Sequence, residues 1–400
     1  MDVDVIVVGA GPVGSNTARL LAIAGHSVLM VEEHPEVGIP VQCAGLVTPR
    51  IFDHCPFDIG DLHQNDLHGG IVYAPDGTTV AFRTDKVQAQ AMDRARFDQR
   101  MAEHAVREGV VLETATKAVA AKRIEGGVQV TLQSGGARRE VRARLLVGAD
   151  GIRSRTADWF GFPKVDEIVS AYEAELSGCH LDDLQMIPMF AGDAQAPGFF
   201  SWIIPVGGDR ARAGLAVAPG LSEQAAKRYY ERMFEDPLSA PFLAGAKESY
   251  LIIGGIPLGL RKQLVQDHVV LVGDAAGMAK PTSGGGIYMG LVASEHLAAT
   301  ASKAMQRGDL SARALKPYEK AVRAGIAKEL RKGDLLRKLY VRFRDDDLNT
   351  FARLLRGPRV KAVIEGVGDI DYPSRLVLPL LRAEPRLAWF FLKAMLRRTP

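Results

Sequence analysis

Gly9, Gly11, Pro12 and Gly14, followed by Glu32 and Glu33, have the types and spacing needed to hold a dinucleotide. The apolar run Val5-Ile6-Val7-Val8 leads into Gly9-Ala10-Gly11-Pro12-Val13-Gly14, and Glu32 closes a second apolar run about twenty residues after the first glycine. This order predicts strand, turn, helix and strand. Gly9 permits the tight turn, Gly11 lets the backbone approach a pyrophosphate at the helix N-terminus, and Gly14 seats the helix close on the strand. Glu32 can accept hydrogen bonds from a ribose, with Glu33 beside it. Alone, the pattern suits NAD and FAD equally.

A further apolar run, Val269-Val270-Leu271-Val272, ends in Gly273-Asp274-Ala275-Ala276, and the two signatures at opposite ends of one fold point to FAD. Gly148-Ala149-Asp150-Gly151-Ile152-Arg153-Ser154 resembles the DG motif of the flavoprotein class that includes aromatic hydroxylases. Gly273-Asp274 resembles that class's second FAD motif, in which a strand-end Asp holds ribityl or ribose hydroxyls. The resemblance implies that Asp150, Gly273 and Asp274 lie at the cofactor. Arg94, ahead of Phe97-Asp98, matches the position where such flavoproteins place an arginine near the cofactor phosphates. The chain has no second GxGxxG, so no separate NAD(P)H domain is expected and a reductant must reach the flavin transiently.

The loop Lys280-Pro281-Thr282-Ser283-Gly284-Gly285-Gly286-Ile287 precedes a predicted helix, so its N–H groups and the helix dipole can stabilise the negative charge of a reduced flavin. Its Pro-x-x-Gly-Gly-Gly form resembles the geranylgeranyl reductases rather than the aromatic hydroxylases. Two other stretches carry the same resemblance. Gly38-Ile39-Pro40-Val41-Gln42-Cys43-Ala44-Gly45-Leu46 is similar to those reductases' Gly-x-Pro-x-x-Cys segment beside the flavin, and Phe200-Ser201-Trp202-Ile203-Ile204-Pro205 to their Tyr-x-Trp-x-Phe-Pro cavity motif. The likeness runs from residue 1 to about 305, and departs where Phe200 replaces Tyr and Ile204 replaces Phe. Both changes keep the cavity apolar, and they leave the identity of the isoprenoid open, since chlorophyll-pathway and menaquinone side-chain reductases belong to the same wider family.

The resemblance implies an FAD-dependent reductase that saturates C=C bonds of geranylgeranyl chains in archaeal ether lipids. It places Cys43, Ala44, Gly45, Pro281, Gly284, Gly285, Gly286 and Ile287 at the flavin and Phe200, Trp202 and Pro205 at a prenylated lipid substrate. Cys43, Tyr288 and an ordered water are the candidate proton donors, and Cys55 is the candidate partner should Cys43 form a disulfide. The electron donor would be ferredoxin, reduced F420 or NAD(P)H. Two rivals share the fold, a flavin-dependent monooxygenase or halogenase and a non-enzymatic prenyl-lipid binding protein; intact Gly9, Gly11, Gly14, Glu32 and Asp274 argue against the second.

These residues need an α/β frame with an α+β insert. The expected arrangement is a discontinuous Rossmann-type FAD-binding domain over 1–65, 94–160 and 262–307, an antiparallel substrate sheet over 66–93 and 161–261, and a helical region over 308–400. Helices are predicted over Ser15–Ala24, Arg96–Glu108, Ser222–Phe234 and Gly286–Arg307, with 33–65 irregular and strand pairs around Pro75-Asp76-Gly77, Glu125-Gly126-Gly127 and Ser134-Gly135-Gly136. By the two-residue period Phe200 and Trp202 share one face of a strand and form an aromatic wall.

Composition bounds the rest. A net charge of +3 gives no argument for nucleic acid, three irregularly spaced cysteines favour a reducing, cytoplasmic setting, and nine histidines show neither a metal-ligand spacing nor a Ser-His-Asp arrangement. No signal peptide and no spanning run of about eighteen apolar residues is expected. Past residue 300, basic side chains outnumber acidic ones about two to one, and Leu387-Ala388-Trp389-Phe390-Phe391-Leu392-Lys393 through Arg397-Arg398 has the make-up of a helix lying in a membrane interface on the inner face of the cell membrane, or of a terminal helix docked on its own domain or on a dimer partner.

Overall fold

A computed structural model describes residues 1–221 and 224–396. Ser222, the expected start of one helix, and the cations Arg397 and Arg398 lie outside the described residues.

The chain opens with β1 (Val3–Val8), α1 (Pro12–Ile23) and β2 (Val28–Val31). Helix α1 starts three residues before the Ser15 expectation because Pro12, with its preset φ, takes the first helical position after Gly11. The 33–65 stretch is less irregular than its turn-rich sequence predicts: β3 (Leu46–Val47) and two short 3-10 turns lead into β4 (His63–Leu67). The hairpin β5 (Gly69–Tyr73) and β6 (Thr79–Arg83) follows, then β7 (Ala89–Met92) and α2 (Arg94–Arg107). Asp93 caps α2 by accepting from the Arg96 N–H at 3.0 Å, which moves the helix start to Arg94.

Next come β8 (Val111–Glu113), β9 (Thr116–Ile124), β10 (Gly127–Ser134), β11 (Ala137–Gly148) and α3 (Arg155–Trp159). The central strands are β12 (Glu167–Ser177), β13 (Met186–Phe190), β14 (Ser201–Gly207) and β15 (Arg210–Val217), then α4 (Ala226–Arg232), α5 (Ala240–Leu243) and β16 (Lys247–Leu258). The last strands, β17 (Val265–Gln266) and β18 (Val269–Leu271), precede α6 (Ile287–Gln306), α7 (Ala312–Ala324), α8 (Ile326–Tyr340), α9 (Asp345–Leu355), α10 (Pro358–Val367), α11 (Val377–Ala383) and α12 (Arg386–Met395).

One sheet has the order β17-β18-β11-β1-β2-β8, with β9 and β10 folded onto β11. Its strands β18, β11, β1, β2 and β8 run parallel, and Val5 to Val8 of β1 and the whole of β2 are continuous runs of Val, Ile, Leu and Met because helices cover them. The largest core lies between this sheet and the helices α1, α6 and α7. A second sheet has the order β16-β12-β15-β14-β13-β5-β6, antiparallel except where β13 meets β5. Alternation gives it two faces: Tyr172, Ala174, Leu176, Ile203, Ala213 and Leu215 pack under α4, and the opposite face turns toward the first sheet's loops.

Candidate functional site

The glycines of the first turn are fixed by contact. Gly9 has φ +101°, and a Cβ there would lie 2.4 Å from the Ala149 oxygen; one on Gly14 would lie 2.0 Å from the Gly9 oxygen. Gly11 differs. It is the N-cap of α1, has no side-chain cap, and a Cβ added to it would meet nothing within 4 Å. The helix N-terminus therefore opens onto free space, as a pyrophosphate requires. Glu32 follows β2, with Oε2 accepting from the Ala10 N–H at 3.0 Å and Oε1 accepting from the His34 N–H at 3.1 Å. Glu33 turns instead to a surface ion pair with Lys117, whose hydrogen bond holds the Glu33 carboxyl below its ordinary range.

Asp150 folds the turn after β11. Its two oxygens accept from the Ser154 hydroxyl at 2.6 Å and the Thr156 N–H at 2.8 Å, and burial pushes its carboxyl up against those bonds. Asp274 is the reverse case: no hydrogen bond to its carboxylate is found among the described residues, burial raises it, and the Arg94 charge opposes that rise. A Cβ on Gly286 would sit 2.7 Å from Asp274 Oδ1, so only glycine lets the start of α6 approach this carboxylate. An open helix N-terminus at Gly11 and an uncommitted carboxylate at Asp274 fit the pyrophosphate and hydroxyls of a flavin dinucleotide.

Arg94 joins these parts. Its Nε and Nη2 donate to Asp98 at 2.7 and 3.1 Å, both side chains being largely buried. Against burial, Asp98 and then Cys43 hold the Arg94 guanidinium above its ordinary range. Arg94 thus faces Asp98, Cys43 and Asp274, with its fork engaged by Asp98. Cys43 and Cys55 are both free thiols; Cys55 Sγ donates to the Ile51 carbonyl at 3.2 Å, and burial pushes its thiol up to about 12.

The Cys43 segment is carried by residues of the second sheet. The Tyr250 hydroxyl of β16 accepts from the Val41 N–H, and Arg212 of β15 donates through Nη1 to the Ala44 carbonyl at 2.7 Å and the Met92 carbonyl at 3.1 Å. The other Arg212 nitrogens reach Gln64 at 2.7 Å and Glu175 at 3.1 Å. A Cβ on Gly45 would be 2.6 Å from Arg212 Nη1, which explains the glycine.

The glycine-rich loop is tied down from the C-terminal region. Lys280 Nζ donates to Asp371 Oδ1 at 2.8 Å and the Ile370 carbonyl at 3.1 Å, and the Lys280 N–H donates to the Gly285 carbonyl at 3.1 Å. Gly284, at φ +77°, stands where a Cβ would meet Ile256 of β16 at 2.8 Å, and Pro281 packs on Gly333 of α8. Ile287 begins α6. Tyr288 shares its hydroxyl with Tyr372 at 3.0 Å, and Arg50 lies 5.7 Å from its ring; burial and the Tyr372 bond push its phenol above the usual range.

Between the Cys43 segment and this loop stands the aromatic wall. Phe200 precedes β14 rather than lying in it, yet its ring meets Trp202 edge-on at 5.7 Å and stacks on Phe199 at 4.7 Å. Trp202 packs with Ala44 and Leu46 in one apolar cluster and with Phe200, Ile256 and Ala279 in another. Pro205 is buried in β14, where alternation turns it from Trp202, and its carbonyl accepts from Asn65 at 3.1 Å. Sequence reasoning missed Glu173. From β12 it accepts the Trp202 indole N–H at 2.6 Å on Oε2, while its buried Oε1 has no partner. Burial raises the Glu173 carboxyl to about 7, the Trp202 bond and Arg212 opposing the rise and Glu175 adding to it.

Comparison with known proteins adds a lineage. The family described as "FAD binding domain" matches residues 2–332. The chain is similar to digeranylgeranylglycerophospholipid reductase 1 of Methanothermobacter thermautotrophicus, at 32% identity over 96% of both chains. It is also similar to the digeranylgeranylglycerophospholipid reductase of Methanocaldococcus jannaschii, at 31% identity over 97% of both. Among solved structures, a geranylgeranyl bacteriochlorophyll reductase-like protein from Thermoplasma acidophilum superposes with a TM-score of 0.87 at 23% identity, covering 98% of this chain and 99% of that one. A flavin-dependent brominase shares the fold with a TM-score of 0.73 at 18% identity, over 98% of this chain and 99% of its own.

Proposed function

The chain belongs to the FAD-binding-domain flavoproteins and, among them, to the digeranylgeranylglycerophospholipid reductase family, and on that premise we propose that it saturates C=C bonds in the geranylgeranyl chains of an isoprenoid ether lipid. The observation that carries this reading is the placement of Phe200 and Trp202 between the Cys43 segment and the glycine-rich loop. A polyprenyl chain offers apolar surface worth about 25 cal/mol per Å² when buried and almost nothing to hydrogen-bond. An aromatic wall suits it.

Gly9, Gly11, Gly14, Glu32 and Asp274 would hold FAD, which when bound supplies the two electrons of the reduction. The residues do the remainder. Gly285, Gly286 and the start of α6 would present N–H groups to negative charge, the Gly284 N–H being donated to the Lys280 carbonyl at 2.8 Å, and Arg94 adds a fixed cation beside Cys43 and Asp274. Arg212 and Tyr250 hold the Cys43 segment to the substrate sheet, and burial of the long chain against Trp202 and Phe200 orients the reacting bond.

The reduction requires an electron donor, and with one dinucleotide turn among the described residues that donor would act transiently. Contact with a lipid surface is supported by α12: Leu387, Phe390 and Ala394 face inward, whereas Trp389 is 69% exposed and Leu392, Met395 and Leu396 are exposed beside it. None of the helices among the described residues is long and apolar enough to cross a membrane, so this contact would be peripheral.

The deciding experiment is anaerobic incubation of dithionite-reduced holoprotein with a geranylgeranyl ether lipid, followed by mass spectrometry. Products heavier by two hydrogens per saturated bond are expected. Turnover only in air, with hydroxylated, epoxidised or halogenated product, would overturn the reading.

A further inference from the structure

Reduction of an isolated trisubstituted alkene needs a proton as well as two electrons, and the alkene is too poor an electrophile to take hydride unaided. The proton source must therefore stand in the prenyl cavity. Glu173 is an acid bonded to Trp202, the residue assigned above to the wall of that cavity. It is 3% exposed, its Oε2 is held by the Trp202 indole at 2.6 Å, and Oε1 is sealed from solvent with no hydrogen-bond partner.

The sheet is built to admit this contact. Glu173 and Trp202 each pair with Gly214 of β15, the strand between them, and a Cβ on Gly214 would lie 2.7 Å from the Glu173 Cβ. Register also puts Ala171, Ala216, Ile252 and Ile256 on this face, while Gly254 leaves open space. The face meets Ala44 of the Cys43 segment and Ala279, immediately before the glycine-rich loop, through Trp202. The charged groups acting on Glu173 are Arg212 of β15 and Glu175 of its own strand, and these two are hydrogen-bonded to each other at 3.1 Å. Across β16 the neighbour is Ile252. An ionised carboxylate with an unpartnered oxygen in such surroundings is unfavourable, whereas a protonated one is an acid awaiting an acceptor.

We propose, resting on the reductase reading above, that Glu173 is the catalytic acid that delivers the proton to the alkene, with Trp202 fixing the carboxyl group beneath the prenyl chain. The alkene gains hydride and its two electrons from reduced flavin at one carbon and the Glu173 Oε1 proton at the other. Two C–H bonds form as the π bond is lost, the Glu173 O–H bond and the bond that carried the hydride on the reductant both break, and water admitted once the product has left returns a proton to the Glu173 carboxylate. Its placement near 7 leaves the acid form well populated at neutral pH, the range in which a general acid works best.

Glu173→Gln keeps an acceptor for the Trp202 N–H and removes only the acid. With the reduced holoenzyme and geranylgeranyl ether lipid, it should slow saturation about 100-fold or more, within the range of general-acid contributions. The wild-type rate should fall as pH rises through about 7, and the variant should lose that inflection. Infrared difference spectra of the oxidised holoenzyme across the same pH step should show a protonated-carboxyl band in the wild type that is missing from E173Q. If the wild type saturates lipid and E173Q does so equally fast, the proton assignment fails and the reductase reading stands. If the wild type saturates no lipid while the infrared band is present, the reductase reading fails and the proposal falls with it. Should E173Q not fold, a wild-type spectrum without that band below pH 7 overturns the proposal by itself.

Discussion

The ammonium of Lys280, at the head of the glycine-rich loop, lies 2.8 Å from Asp371, ninety-one residues further along, and both side chains are buried. Asp371 also accepts from the Thr48 hydroxyl at 2.6 Å and from Arg50 at 3.1 Å, so one carboxylate ties the helical C-terminal region to the loop and to the turn after the Cys43 segment. A buried pair of this kind has little net worth against apolar isosteres, but removing one partner strands the other.

Asp371→Ala should therefore cost about 3–5 kcal/mol in stability, measured by denaturant unfolding, and loosen bound flavin. Lys280→Met combined with Asp371→Leu should recover much of the loss. If the single substitution leaves both stability and flavin content unchanged, the pair does not hold the loop.

Glycines of one motif should fail in different ways. Gly14→Ala forces a Cβ against the Gly9 carbonyl and should destabilise the apoprotein, because a 2.0 Å contact with backbone cannot relax cheaply. Gly11→Val has open space around it, so the apoprotein should melt as the wild type does while purified protein is colourless. Flavin retained at full stoichiometry in Gly11→Val would remove the pyrophosphate from the start of α1.

Much of the cofactor half was legible because its demands are local. A turn that needs Gly9 and Gly14, an acid closing β2 and a Gly-Asp closing β18 are each written in a few consecutive residues. Helix starts were missed by a few residues where Pro12 and the Asp93 cap extend the first turn. Asp371, Arg212 and Tyr250 were not legible, since each acts on a segment more than ninety residues away in the chain. Glu173 had a faint signal: β12 reads Glu-Ile-Val-Ser-Ala-Tyr-Glu-Ala-Glu-Leu-Ser, which places Glu173 and Glu175 on one face. That both carboxylates turn inward depends on pairing with β15, which periodicity alone does not reveal.

Glu173 also makes a stability prediction whose sign can be worked out. Its folded value, about 7, exceeds the ordinary value of 4.5, so between these limits the folded state binds more protons than the unfolded state. Stability must then fall as pH rises through that window, by an amount on the order of 3 kcal/mol for this group. Glu173→Gln should flatten that part of the profile and be the more stable protein above pH 7. Parallel denaturation profiles for the two proteins would show that the carboxyl is not held protonated in the fold.

The last prediction concerns α12, whose inner face is committed and whose outer face is not. Phe390 packs against Phe343 and Phe351 at ring distances of 4.9 and 5.5 Å, so the helix is docked on the protein, while Trp389 projects into solvent. Trp389→Ala removes nothing from the core and should leave the melting temperature unchanged. Binding to anionic liposomes should weaken several-fold, because an interfacial indole and neighbouring cations such as Lys393 act together. Salt should weaken binding of both proteins by screening the cations, and the loss due to Trp389 should persist at high salt because its contribution is apolar. Equal liposome affinity for the variant and the wild type at every ionic strength would mean that the exposed face of α12 does not touch the membrane.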